Sequence, residues 1–144
     1  MRDGGACTRV EKDQMNMQFL IAGILSLMAT LAHSFTGEYW IFHHLQKSTL
    51  PHTPFGDSDV TKRILRVVWH FVTVDFLVSA IALIIFATSD SSGSSKIAAK
   101  IISLHFAGYV LVGLGAITRV NGLIRAPQLI LFAAIALLTW WGAS

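Results

Sequence analysis

Four apolar runs separated by polar linkers organise this 144-residue chain. The first, FLIAGILSLMATLAHSF continued by TGEYWIF, covers about positions 19–42. The second, ILRVVWHFVTVDFLVSAIALIIFAT, covers about 64–88, the third about 97–118 and the fourth, QLILFAAIALLTWWGA, about 127–143. About twenty apolar residues cross a bilayer core. The pattern therefore predicts an all-α integral membrane protein, a four-helix bundle with both termini on one side. The second run is rich in β-branched residues, which favour a strand in water. In lipid the backbone must satisfy its own polar groups, so helix is the expectation there.

The linkers carry matching punctuation. Pro51, Pro54 and Gly56 break the chain after the first run, and Asp57, Ser58 or Asp59 can cap the second helix. SDSSGSS reads as a short flexible turn, and RVNGLIRA leads to Pro127, a good first helical residue. Tyr39 and Trp40 suit an interfacial aromatic belt. Ala107, Gly108, Gly113, Gly115 and Ala116 predict close helix packing around the third span.

Composition strengthens the membrane reading. The chain is 53% hydrophobic and 13% charged, against roughly 25% charged in a soluble domain. A chain this small cannot hide so much apolar surface from water. It forms one transmembrane domain, 17–144, behind a polar N-terminal tail, 1–16. The tail shows no signal-peptide cleavage pattern, and Met15 or Met17 is an alternative start. Cys7 is the only cysteine, so an internal disulfide or a cysteine-built metal site is excluded.

The net charge of +3 is not gathered into a nucleic-acid patch. Lys47, Lys62, Arg63 and Arg66 share one linker region, and Arg119 and Arg125 share another. Such residues set topology and meet lipid head groups. They make the side of these two linkers, the A side, cytoplasmic if translation starts at Met15 or Met17. With the full tail the balance is nearly level. The expected partners are the lipid bilayer and a homo-oligomer or larger membrane complex, with no nucleic acid.

The candidate chemistry lies in the few ionisable residues inside the apolar runs: His33, Glu38, His70, Asp75 and His105. A charge at the centre of a membrane helix costs roughly 2.5–3.5 kcal/mol on insertion scales. A rise of about 1.5 Å per residue sorts these residues by depth. His33, His70, Glu38 and Arg66 form a tier near the A side, and Asp75 and His105 form a deeper pair. Asp75 is five residues from His70, about 140° around the helix, so the two use different faces. A lone intramembrane histidine also serves simply as a hydrogen bond to a neighbouring helix, and Glu38 as a surface carboxylate paired with Arg66 or Lys62. A carboxylate as deep as Asp75 must be neutralised, paired or liganded.

Three functional readings compete. In the leading one, His33, His70 and His105 with Glu38 or Asp75 bind a transition metal or haem in a redox-related role, because imidazole and carboxylate suit such ions. In the second, Asp75 lines the path of an oligomeric ion or proton channel or transporter. In the third, the chain is an accessory subunit of a membrane complex. Nothing in the spacing argues specifically for an enzyme; a zinc hydrolase drawing on Ser34 or Ser79 is the weakest alternative.

The order HSFTGE, KRILRVVWH, LHFAG resembles a largely uncharacterised group of small four-span bacterial membrane proteins. In that group a His-Ser pair precedes Gly-Glu in the first span, and Arg-x-x-Trp-His opens the second. The matching residues here are His33, Ser34, Gly37, Glu38, Arg66, Trp69 and His70. The resemblance covers about 17–142 and implies a multi-pass protein of the bacterial inner membrane. It transfers no activity, and Asp75 lies outside its pattern.

Overall fold

The computed structural model describes residues 15–46, 48, 50, 56–89, 92–116 and 126–144. Among these residues the protein is a bundle of four helices without a strand. Helix α1 spans Met17–Phe35 and continues as a π-helical segment over Thr36–Phe42. Helix α2 spans Ser58–Thr88, α3 spans Gly93–Ala116 and α4 spans Pro127–Gly142. The continuous helix Met17–Phe42, α2 and α3 are each long and apolar enough to cross a membrane. This is a membrane protein with an all-α bundle. The fourth run forms its helix, but its 16 residues cover only about 24 Å, less than a bilayer core of roughly 30 Å.

Local chemistry explains the helix ends. Asp57 caps α2, its Oδ1 accepting from the backbone N–H groups of Asp59 and Val60 at 3.1 Å each, so the helix begins six residues before its apolar run. The Ser92 hydroxyl accepts from the Ser95 N–H at 3.3 Å, which lets α3 start inside the stretch expected to be a flexible turn. Pro127 opens α4, where its missing N–H costs nothing. Asn16 ties three helix ends together: its Oδ1 caps α1 through the Phe19 N–H, its Nδ2 donates to Gly142 O at 2.9 Å, and its backbone N–H donates to Ala87 O at 2.9 Å. The tail up to position 14, Lys47, the prolines at 51 and 54, and 119–125 of the RVNGLIRA turn, with Arg119 and Arg125, lie outside the described residues.

Packing follows the order α2–α1–α4–α3. Helix α1 lies along both α2 and α4, α3 rests mainly on α4, and α2 and α3 barely meet although they are consecutive. The sequence puts the closest packing on the third span, whereas the most extensive contact is α1 with α2. There Gly23 admits the neighbouring helix: an added Cβ would lie 2.8 Å from Ile84 Cγ1 and 3.2 Å from Ala80 O. On α3 only Gly113 is crowded, against Leu129, while Gly108 and Gly115 face open space. Buried serines stitch the pairs, Ser26 Oγ donating to Phe76 O at 2.9 Å and Ser103 Oγ to Ala136 O at 2.7 Å. Inside, Phe76 packs on Phe106 and Phe132 at 5.7 and 5.1 Å between ring centres. The outer faces are apolar, with Leu31, Val68, Phe71, Ile81 and Ile101 exposed, as a lipid-facing surface requires.

Candidate functional site

Four of the five expected ionisable residues gather into two separate clusters, joined by neither hydrogen bond nor ion pair among the described residues. The first lies near the A-side end of α1 and α2. Glu38 Oε1 accepts from His70 Nε2 at 2.9 Å and from Arg66 Nε at 3.1 Å. The Arg66 guanidinium also lies over the Phe42 ring, 5.5 Å from its centre. Glu38 and Phe42 both belong to the π-helical segment. Such segments widen the helix locally and leave its backbone ladder irregular.

Trp69 exploits that irregularity. Its Nε1 donates to His33 O at 3.0 Å, where α1 passes into the π-helical turn. The indole fills the space that a side chain at position 37 would occupy, so Gly37 is required there by close approach. The His33 ring stacks on the indole, 4.0 Å between centres and 5° from parallel. His33, Gly37, Glu38, Arg66, Trp69 and His70, six residues of the two short patterns, thus form one contact set across the α1–α2 interface.

The second cluster bridges α2 and α3 near the middle of both helices. Asp75 Oδ2 accepts from His105 Nε2 at 2.7 Å and from the Tyr109 hydroxyl at 3.2 Å. The Asp75 and His105 side chains are 38% and 42% exposed, because α2 and α3 leave an open seam at this level. Tyr109 was not among the candidates. It lies one turn after His105 on the same face of α3, and that i, i+4 spacing is the signal that identifies it.

The three-histidine site does not form. Among the described residues no group of three or more His, Cys, Asp or Glu side chains is placed to hold a metal ion. The reason is geometric. His70 is held by Glu38 and His105 by Asp75, and these carboxylates are on different levels of the bundle. His33 turns its ring flat against Trp69 instead of joining either pair. Metal binding by His33, Glu38, His70, Asp75 and His105 is therefore not supported: among the described residues they form two histidine–carboxylate pairs and one stacked histidine.

No protein-family model, no curated protein and no solved structure matches this chain.

Proposed function

We propose that this protein handles protons within the membrane, as a small channel or transporter component, with Asp75 and His105 as the exchanging pair. The observation that carries the reading is the 2.7 Å contact between His105 Nε2 and Asp75 Oδ2 near the middle of two apolar helices, on a seam that leaves both side chains partly open. Intramembrane ionisable pairs of this kind mark proton and ion pathways. The pair can hold its shared proton on either partner, as carboxylate with imidazolium or as carboxylic acid with imidazole. The Tyr109 hydroxyl donates to the same carboxylate oxygen. Glu38 and His70 form a second station nearer the A side. A second copy of the chain against the α2–α3 seam would shield the pair from lipid, which favours a homo-oligomer. The resemblance carried by the α1–α2 patterns favours the bacterial inner membrane as the host.

Proton flux into liposomes containing the purified protein, followed with an internal pH-sensitive dye, tests this reading. The wild type should exceed empty liposomes, and Asp75→Asn should lose most of that excess, because an amide neither takes up nor releases the proton. Wild-type flux equal to that of empty liposomes ends the reading. Undiminished flux in Asp75→Asn removes Asp75 from the path.

A further inference from the structure

The ionic contact at the middle of the bundle is open on one side. Helices α2 and α3 barely meet, and Asp75 and His105 bridge the seam between them with both side chains partly exposed. The two bonds that Asp75 accepts both end on Oδ2, and His105 is held through Nε2. Asp75 Oδ1 and His105 Nδ1 are therefore left without a partner among the described residues. Around them Phe71 and Val78 on α2 and Ile101 and Leu104 on α3 are exposed. Acyl chains suit these apolar neighbours but offer no hydrogen bond, and a polar group left unpaired in hydrocarbon is costly.

The seam is also complementary to itself. Copies inserted in the same direction and related by a two-fold axis along the membrane normal present the same patch to each other. With that axis in front of the seam, α2 of each copy faces α3 of the other. Asp75 and His105 lie side by side at one level, so each carboxylate meets the partner's His105 and each imidazole meets the partner's Asp75. Acid faces base twice.

We propose that a second copy of this chain docks on the α2–α3 seam with this symmetry, and that Asp75 Oδ1 of each copy accepts from the ring of the partner's His105. Each imidazole then donates from both ring nitrogens and is an imidazolium, each Asp75 is a carboxylate, and the four groups sum to zero charge. The apolar residues around the seam close over this cluster. The proposal rests on the proton-handling reading for the role of the pair and names the dimer as its working unit. Docking itself is read without a pH gradient, so a protein that dimerises but passes no protons fails only the earlier reading.

The test mixes two single-cysteine versions of the full chain in phosphatidylcholine liposomes. Both carry Cys7→Ser, which removes the only native cysteine; one adds Val78→Cys and the other Ile101→Cys, with a purification tag on one of them. These positions lie one turn from Asp75 and His105 on the same helix faces. Each copy has one thiol, so a disulfide always joins two copies. Oxidation with copper phenanthroline should give the mixed dimer in far higher yield than a control mixture of Leu31→Cys, exposed on α1, with Ile101→Cys. Asp75→Leu or His105→Phe, made in both copies, removes both reciprocal bonds and should weaken association about tenfold, the order that two hydrogen bonds between membrane helices provide. A mixed yield no higher than the control overturns the proposal, the behaviour of a seam filled by lipid or water. Undiminished association in either variant, once folded, also overturns it. The comparison with the control decides the matter even where both variants fail to fold.

Discussion

The two ionic clusters share one chemistry, a histidine Nε2 bonded to a carboxylate oxygen, yet they differ in their company. Glu38 has Arg66 as well as His70. Asp75 has His105 and the neutral hydroxyl of Tyr109. Depth accounts for the difference. A guanidinium near the end of a span can reach the interfacial region along its apolar stem, and that of Arg66 also lies over the Phe42 ring. Near the middle of the span a permanent cation has no such escape, so the groups around Asp75 are those that can be neutral. The lesson is that the same histidine–carboxylate contact recruits a permanent cation near the end of a span and a neutral hydroxyl near its middle.

The largest expected effect breaks the first cluster at its root. Gly37→Ala puts a methyl group into the Trp69 indole, and overpacking of this kind costs about 1–3 kcal/mol. Thermal unfolding in detergent should show a clearly lowered Tm, with loss of the His33–Trp69 stack visible in the indole emission. An unchanged Tm would mean that Trp69 does not depend on the notch at Gly37.

Double-mutant cycles then compare the clusters directly. Asp75 and His105 should couple by about 1–1.7 kcal/mol, toward the upper end found for polar pairs between membrane helices. Glu38 and Arg66, with side chains 43% and 47% exposed, should couple by about 0–1 kcal/mol, as exposed ion pairs do. High salt should erase the smaller coupling and leave the larger nearly intact. Equal couplings with equal salt dependence would erase the distinction between the two sites.

The smallest effect sharpens the second cluster alone. Tyr109→Phe removes one hydrogen bond of 3.2 Å to Asp75 and should lower stability by about 0.5–1 kcal/mol. The Glu38–Arg66 coupling should not change. If it does, the clusters communicate through the bundle, and the separation drawn between them fails.

Much of this architecture is legible in the chain. Asp57 as a cap, Pro127 as a helix start and the apolar runs themselves depend on local propensity and on the length needed to cross a bilayer, so neighbouring residues suffice to read them. Counting depth along each helix also groups Glu38, Arg66 and His70 on one level and Asp75 with His105 on another, because helix rise is constant. His33 shows where such reasoning ends. Its depth matches that of His70, but its ring turns to Trp69, and depth does not determine the direction of a side chain. The π-helical turn at Thr36–Phe42 was equally illegible, since Gly37 reads as an ordinary small residue until the indole opposite it is known.

Taken alone, the sequence determined that this is a membrane protein of apolar helices, the cap of α2 and the proline that opens α4, and which few residues carry ionisable groups into the apolar runs. These are consequences of hydrophobicity and of a fixed helical rise, and neither requires knowledge of a neighbour. Only the tertiary structure decided that α1 rather than α3 is the central packing element, that His70 and His105 each pair with a different carboxylate, and that His33 stacks on Trp69. Each of those depends on the rotation of one helix about its axis relative to the next, which is set by side-chain packing between residues far apart in the chain.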